Sequence, residues 1–174
     1  MINPLVAAFQ VEGEGGMFLE SARADDDPLY AGYTLVLALG LRKGEVLGLL
    51  WDDLDLDGGE LTMGRQLQRV RHQLLHEIPN GYSDDVRLPF VDLCTAALCH
   101  RRIQQASARE AAGGMWQDGQ WVFSTKWGTP IEPRNFNRSW DLRCRKADVR
   151  KITVHDGRAR APPCWWTLMC TPLR

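Results

Sequence analysis

The stretch LALGLRKGEVLGLLWDDLD, residues 37–55, places one arginine, Arg42, between two apolar segments that have helical character. A guanidinium cannot lose its proton in apolar surroundings, so it requires a carboxylate or a phosphate as its partner. Glu45 follows three residues later and is near enough in sequence to orient Arg42. From the residues alone, the favoured interpretation of this stretch is a structural ion pair between Arg42 and Glu45.

The composition is that of one globular domain. The chain has 174 residues, of which 44% are hydrophobic and 25% are charged, and its formal net charge is −1. These values exclude collagen-like, disordered and extreme-charge classes of protein. The longest apolar run, near residues 34–39, is far too short to span a bilayer. Because the N-terminus also lacks the basic segment and cleavage pattern of a signal peptide, we expect a cytoplasmic protein without a membrane partner.

The five cysteines indicate neither a disulfide framework nor a metal site. Their number is odd, and Cys94 and Cys99 have no second pair at the spacing of zinc ligands. We therefore expect the cysteines to be reduced thiols that serve as small apolar residues.

Charge is distributed unevenly along the chain. Residues 1–60 contain 12 acidic and 3 basic residues, whereas residues 126–160 contain 4 acidic and 10 basic ones. A basic segment is compatible with a polyanionic partner, because clustered Lys and Arg side chains displace counterions from phosphates. An ordinary solvated helical face explains the same charges equally well.

The order of the predicted elements is helices, a small sheet, and helices again, which is typical of an α+β domain. Periodicity and turn residues predict helices over residues 17–24, 29–41, 43–49, 89–112 and 135–146. Strands are predicted over residues 60–63, 86–88 and 121–124, with a hairpin over 66–78 whose turn lies near 70–73. The small, Gly-rich residues 1–16 are expected to form a flexible lead-in.

The arginine stretch resembles the first arginine box of the tyrosine recombinase (phage integrase) family. In that family the pattern Gly-Leu-Arg-x-Gly-Glu-x-Leu-x-Leu-x-Trp-x-Asp-hydrophobic-Asp recurs, and the match here runs without a gap. Three later segments also resemble the family in the same order, namely strands of the catalytic sheet at 61–69, a Phe-x-x-x-x-Gly-x-Pro…Asn-x-x-Arg stretch at 122–140, and a His-x-x-Arg box at 152–158. The resemblance implies a mostly helical α+β catalytic domain over residues 17–158, with a small antiparallel sheet and an incomplete C-terminus.

The resemblance implies strand transfer in double-stranded DNA, with no metal and no other cofactor. In the family, a tyrosine hydroxyl attacks a phosphodiester and forms a 3′-phosphotyrosyl link. By residue-level correspondence, Arg42 and Arg158 are expected to clamp the phosphate, because each guanidinium can bind two oxygens. His155 is expected to donate or accept a proton beside that phosphate, and Glu45 to support Arg42. These side chains should therefore converge on one concave, positively charged surface.

The sequence departs from the family pattern at the two remaining catalytic positions. Asn80 occupies the expected place of the family's lysine, ahead of a strand that ends in Leu-Pro. The three tyrosines of the sequence all precede Arg158. Tyr30 and Tyr33 belong to a helix predicted to be buried, and Tyr82 belongs to a predicted loop. We therefore expect this chain to lack both the nucleophile and the leaving-group acid.

The two ends of the chain also differ from the family pattern. The short lead-in leaves no room for the family's N-terminal DNA-clamping domain, so that domain is expected to be absent. Residues 159–174 are expected to be an aberrant tail, because adjacent prolines and adjacent tryptophans match no helix or strand period. Shifting the codon frame in this tail reconstructs Ala-Thr-Leu-Leu-Val-Asp, which resembles the family's next helix, so we interpret the tail as the product of a frameshift. A recombinase oligomer is implied as a partner only for intact members of the family.

Three functional hypotheses remain open from the sequence. The first is a recombinase catalytic domain without its nucleophile, and the second is a non-catalytic DNA-binding fragment. The third is a metal-dependent phosphohydrolase in which His155 and Asp156 act with His72, His76 or His100, although the missing ligand motifs disfavour it. Without the upstream arginine box, His155 and Asp156 are better explained as an exposed turn.

Overall fold

Two helices open the part of the chain that the structure describes. The structure is a computed structural model that describes residues 13–77 and 86–159, without the side chains of Val86, Arg158 and Ala159. Helix α1 covers Glu14–Ala24, and helix α2 covers Tyr30–Leu39. Every residue of α2 is buried, which confirms the prediction of a buried apolar helix.

Helix α1 begins earlier than the sequence predicts. The expectation that the flexible lead-in extends to residue 16 is wrong, because residues 14–16 form the first turn of α1. Glu14 is favourable in that turn, since a carboxylate interacts well with the positive end of the helix dipole. Phe18, Leu19 and Ala22 then recur at helical spacing and are all buried. Residues 1–12 of the expected lead-in lie outside the described residues.

A short helix and a three-stranded sheet follow. Helix α3 covers Lys43–Gly48, and the sheet contains β1 (Leu54–Asp55), β2 (Glu60–Met63) and β5 (Val86–Pro89). All neighbouring strands are antiparallel in the order β1-β2-β5, and Leu61 of β2 pairs with Leu88 of β5. The predicted strands at 60–63 and 86–88 are therefore confirmed.

The chain segment that connects β2 to β5 forms a hairpin, which is a separate two-stranded sheet. Strand β3 covers Gln66–Val70 and pairs in antiparallel register with β4, which covers Gln73–Glu77. The two residues between the strands form the turn, as the sequence predicts, and Arg71 adopts a positive φ of 54° there. The hairpin packs against α3, which places its polar residues beside Arg42.

The prediction of a strand at residues 121–124 is wrong. Trp121 and Ser124 form only isolated bridges, with Leu50 and Pro130. The physical reason is that helix α4 (Asp92–Ala112) satisfies the carbonyl groups of this segment with side chains. Arg101 donates to the carbonyl oxygens of Val122 and Ser124 at 3.0 and 3.2 Å, so these groups do not bond to a neighbouring strand.

Two further helices complete the described fold. Helix α5 covers Pro133–Lys146 and begins two residues before the predicted start, because Pro133 is favourable in the first turn of a helix. Helix α6 covers Val154–Ala159. Helix α4 begins at Asp92 rather than at Pro89, which still belongs to β5. Within residues 13–77 and 86–159, no helix combines the length and apolar character needed to cross a membrane.

An aromatic cluster joins helices α1, α2 and α5. Trp140 of α5 is fully buried, and its ring centroid lies 4.5 Å from that of Phe18 and 5.5 Å from that of Tyr33. Tyr33 also contacts Phe136 in an edge-on arrangement, with 5.5 Å between ring centroids. Edge-on aromatic pairs add to the stabilisation that burial alone provides. This cluster therefore fixes α5 against the N-terminal helices.

Helix α6 packs directly on this aromatic cluster at a glycine. A Cβ atom at Gly157 would lie only 2.8 Å from Cζ2 of Trp140, so the helix approaches the indole more closely than another residue would allow. The indole Nε1 of Trp140 donates to the carbonyl oxygen of Ile152 at 3.0 Å, just before α6. These contacts hold the helix that carries His155.

An ion cluster around the buried Arg143 ties α5 to the loop between α1 and α2. The Arg143 side chain is only 5% exposed, and its Nη1 and Nη2 lie 2.8 Å from Asp25 and 2.6 Å from Asp27. Hydrogen bonds from Lys146 and, to a smaller extent, from Arg143 lower the pKa of the Asp25 carboxyl. The exposed Lys146 lies 2.8 Å from the same carboxylate.

Replacing Arg143 should destabilise the fold far more than replacing Lys146. In the variant Arg143→Met, the largely buried Asp27 carboxylate loses its cation, so we expect a loss of about 3 kcal/mol of unfolding free energy. In Lys146→Met, an exposed pair is removed and the loss should stay below about 1 kcal/mol. Urea unfolding of both variants measures the difference, and equal losses would contradict the importance of the buried Arg143–Asp27 pair.

Replacing Gly157 should displace α6. The added methyl group of Gly157→Ala would press on the Trp140 ring, and overpacking of this kind costs about 1–3 kcal/mol. Gly114 is a matched control, because a Cβ atom there meets nothing within 4 Å. Thermal or urea unfolding should therefore separate Gly157→Ala from Gly114→Ala, and indistinguishable midpoints would show that α6 is not held by this contact.

Candidate functional site

A cleft of about 1020 Å³ lies between α3, the β3–β4 hairpin, α5 and the start of α6. Basic side chains outnumber acidic ones in its lining. The basic residues of the cleft are Arg42, Lys43, Arg69, Arg71, Arg134 and Lys151, and the acidic ones are Glu132 and Asp141. Each of the two acidic residues is bound to a basic one, since Glu132 pairs with Arg69 and Asp141 with Lys151. The cleft is therefore suited to an anion.

Arg42 reaches this cleft because the chain turns sharply at the end of α2. Gly40 adopts the left-handed conformation, with φ 67° and ψ 26°, and ends the helix. Two residues later, Arg42 is extended, with φ −71° and ψ 148°, and lies immediately before α3. The Gly-Leu-Arg sequence thus leads the arginine out of a buried helix and onto the wall of the cleft.

Glu45 fixes both the main chain and the side chain of Arg42. Its Oε2 accepts a hydrogen bond from the Arg42 backbone N–H at 2.6 Å, and its Oε1 accepts one from Nη1 at 3.1 Å. The Glu45 side chain is 7% exposed, whereas the Arg42 side chain is 48% exposed. The ion pair expected from the sequence is therefore confirmed, with the carboxylate on the inner side and the guanidinium at the cleft.

Lys43 lies beside Arg42 and faces a different wall. Its Nζ donates to Oδ1 of Asn137 on α5 at 3.1 Å. Partial burial lowers the pKa of the Lys43 ammonium group. Within the described ranges, no carboxylate lies close enough to Lys43 to form an ion pair.

Arg69 anchors the hairpin at the start of α5. Its Nε donates to both carboxylate oxygens of Glu132, at 2.8 and 2.9 Å, and its Nη1 donates to the carbonyl oxygen of His72 at 3.0 Å. The hydrogen bonds from Arg69 lower the pKa of the Glu132 carboxyl. This pairing fixes the distance between two walls of the cleft.

His155 lines the same cleft from the first turn of α6. Thr153 and Asp156 form a reciprocal cap for this helix. The Thr153 hydroxyl oxygen accepts from the Asp156 backbone N–H at 3.2 Å, and Asp156 Oδ2 accepts from the Thr153 backbone N–H at 3.1 Å. The alternative that His155 and Asp156 form an isolated exposed turn is therefore wrong, although both side chains are exposed.

The structure thus brings Arg42 and His155 to one concave surface, as the sequence predicts. The backbone of Arg158 belongs to α6, but its side chain lies outside the described residues, so its expected position at the cleft stays a prediction. Asn80 and Tyr82 also lie outside the described residues, as does the tail from residue 160 onwards.

The two described tyrosines do not line the cleft. Tyr30 is 8% exposed and Tyr33 is fully buried, both within α2. Burial strongly raises the pKa of the Tyr33 hydroxyl, which disfavours its ionised, nucleophilic form. Core packing is therefore the role of both side chains.

The histidines proposed as metal ligands are dispersed. His76 Nε2 lies 2.8 Å from the carbonyl oxygen of Gly48, and its ring packs on Trp121. His100 instead lies 2.6 Å from Asp26. In the part of the chain that the structure describes, no three His, Cys, Asp or Glu residues are grouped in a way that could hold a metal ion. The phosphohydrolase hypothesis therefore has no ligand set among these residues.

Several residues of the cleft were missed by the sequence analysis. Asn137 and Asp141 lie four residues apart within the predicted helix 135–146, so the prediction already placed them on one face of it, whereas Arg134 lies one residue before that helix. The pairing of Arg69 with Glu132 had no such signal, because it joins two elements that are distant in sequence.

Comparisons with known proteins support the family resemblance. No family model matches the chain. It is 41% identical over 64 residues to an integrase of Saccharopolyspora erythraea, a match that covers 37% of this chain and 14% of the relative. It is 26% identical over 139 residues to a tyrosine recombinase XerC-like protein of Caldanaerobacter subterraneus subsp. tengcongensis, covering 73% of this chain and 36% of that protein. The chain thus spans about a third or less of the curated relatives that it matches.

Solved structures share the fold. The crystal structure of XerA recombinase matches with a TM-score of 0.63 and 20% identity, covering 87% of this chain and 47% of that one. The Tn1549 transposon integrase, in complex with circular intermediate DNA, matches with a TM-score of 0.66 and 20% identity, covering 88% and 57% of the two chains. These likenesses agree with the order of motifs along the sequence and with the mostly helical α+β architecture. The chain therefore has the fold of tyrosine recombinase catalytic domains.

Proposed function

We propose that the cleft binds a phosphodiester of double-stranded DNA. In this proposal Arg42 and Arg158 clamp the phosphate oxygens, His155 donates or accepts a proton beside them, and Glu45 holds Arg42 in place. The observation that carries the proposal is that Arg42 and His155, which are far apart in sequence, line one cleft with an excess of basic residues. The Tn1549 integrase, which shares the fold, was solved in complex with DNA, and this supports the choice of polyanion.

The arrangement of Arg42 favours phosphate binding physically. A guanidinium offers a planar fork of N–H groups that can contact two phosphate oxygens at once. Because Glu45 already holds the main chain and one Nη atom of Arg42, little reorganisation is required when the anion arrives. The hydrogen bonds of Glu45 therefore serve to pre-organise the cation as well as to compensate its charge.

We further propose that this chain binds DNA without forming a phosphotyrosyl link. A nucleophile must lie in line with the phosphorus atom, at roughly 3–3.5 Å from it. Tyr30 and Tyr33 are buried in α2, and Asn80 occupies the sequence position that corresponds to the family's lysine. Tyr82 is the remaining tyrosine of the sequence, and it lies outside the described residues. The recombinase and DNA-binding hypotheses thus share one phosphate site and differ in the nucleophile.

Removing the Arg42 guanidinium should weaken DNA binding selectively. A charge-assisted hydrogen bond contributes about 1.5–3 kcal/mol, so Arg42→Gln should lower the affinity for duplex DNA by about tenfold or more at constant salt. Arg23→Gln is the matched control, because Arg23 is exposed on α1 and pairs with Glu20. Fluorescence anisotropy with a labelled duplex measures both affinities. An equal, small loss in both variants would mean that the cleft does not contact the phosphate.

Incubation with a nicked suicide duplex should yield no covalent protein–DNA adduct. The described tyrosines cannot reach the cleft from the core, so a denaturing gel should show free protein only, at any protein concentration. Tyr82→Phe is the control for the remaining hydroxyl. A denaturant-resistant band from the unmodified chain that disappears in Tyr82→Phe would contradict the proposal and identify Tyr82 as the nucleophile.

A further inference from the structure

We propose that Lys43 and Asn137 form a second phosphate-binding subsite in the cleft, in which Lys43 Nζ and the Asn137 amide both donate to a DNA phosphate. This inference rests on the proposed function of the cleft and deepens it. Lys43 corresponds to none of the functional positions carried over from the family pattern. The two residues come from different elements, α3 and α5, and both line the cleft.

The argument begins with the charge of Lys43. Two other cations of the cleft bind a carboxylate there, since Arg69 pairs with Glu132 and Lys151 lies 3.0 Å from Asp141. Lys43 differs, because its partner among the described residues is the neutral Asn137 oxygen.

A half-buried ammonium without an anion has given up part of its hydration without full compensation. The lowered pKa of Lys43, caused by this burial, is consistent with such a state. A phosphate oxygen that entered the cleft would restore the missing electrostatic partner.

The orientation of Asn137 supports the same ligand. An ammonium group is only a donor, so its contact at 3.1 Å identifies the atom beside it as the oxygen of the Asn137 amide. The NH2 group of Asn137 is then the remaining end of the amide, and within residues 13–77 and 86–159 it has no hydrogen-bond partner. Because Asn137 is exposed and lines the cleft, its NH2 group can donate to a phosphate oxygen.

The subsite is distinct from the Arg42 clamp. Glu45 holds Arg42 toward α3 itself, whereas Asn137 holds Lys43 toward α5. The two adjacent residues therefore direct their charges to different walls of the cleft. We infer that they contact two different phosphates of the bound duplex, which makes Lys43 a contributor to affinity and to its salt dependence.

The salt dependence of DNA binding by the full chain tests this inference. For duplex DNA, the slope of log K against log salt concentration changes by about 0.9 for each phosphate contact that is lost. We expect Lys43→Met to reduce the magnitude of the slope by about 0.9, and Lys43→Arg to retain it, because the positive charge is kept. Asn137→Ala should weaken binding without changing the slope, since it removes a neutral donor.

Lys126→Met is the matched control. Lys126 is exposed and does not line the cleft, and its Nζ lies 4.8 Å from the centroid of the Trp127 ring. The salt-dependence slope of the Lys126→Met variant should therefore equal that of the unmodified chain. Urea unfolding of every variant distinguishes a change in binding from a loss of structure.

The possible outcomes separate the two proposals. If Arg42→Gln reduces the slope and Lys43→Met does not, the Lys43 subsite is overturned and the proposed function stands. If Lys43→Arg loses as much slope as Lys43→Met, the lysine has a structural role and the inference is also overturned. If the unmodified chain shows no salt-dependent binding to duplex DNA, the proposed function fails and the subsite fails with it.

Discussion

Repulsion between like charges is the constraint on which this cleft depends. Several guanidinium and ammonium groups face one concave surface, and each would destabilise the fold if no group compensated it. The fold places a carboxylate beside three of them, namely Glu45 beside Arg42, Glu132 beside Arg69, and Asp141 beside Lys151. These carboxylates keep the cations in the cleft and fix their directions. The walls therefore remain together while the cleft keeps a net positive charge.

The same contacts connect stability to the proposed function. Glu132 lies just before α5, so its pair with Arg69 fixes the hairpin relative to the helix that carries Asn137. Trp140, one turn further along α5, is buried in the aromatic cluster and contacts α6 at Gly157. A change at the Arg69–Glu132 pair should move Arg69 relative to Arg42. A change at the contact between Trp140 and Gly157 should move His155 relative to Arg42. The geometry of the cleft thus depends on the core as well as on the residues that line it.

Local interactions were predictable from the sequence, and distant ones were not. The Arg42–Glu45 pair was expected because Glu45 follows Arg42 by only three positions in the sequence, and the structure confirms it. Helix α2 and the β3–β4 hairpin were also expected, since apolar continuity and turn residues determine them. The strand predicted at 121–124 does not form, because side chains of α4, above all Arg101, bind the carbonyl oxygens of this segment. Which carbonyl groups a distant helix binds cannot be inferred from periodicity.

The most direct measurement of the central claim is an NMR titration of the isotope-labelled chain with duplex DNA. If the cleft binds the phosphate, the side-chain resonances of Arg42, His155 and Asn137 should shift together and saturate at one DNA concentration. Trp51 and Arg102 line a separate pocket and should not shift. Shifts at Trp51 and Arg102 with unchanged resonances for Arg42 and His155 would contradict the account.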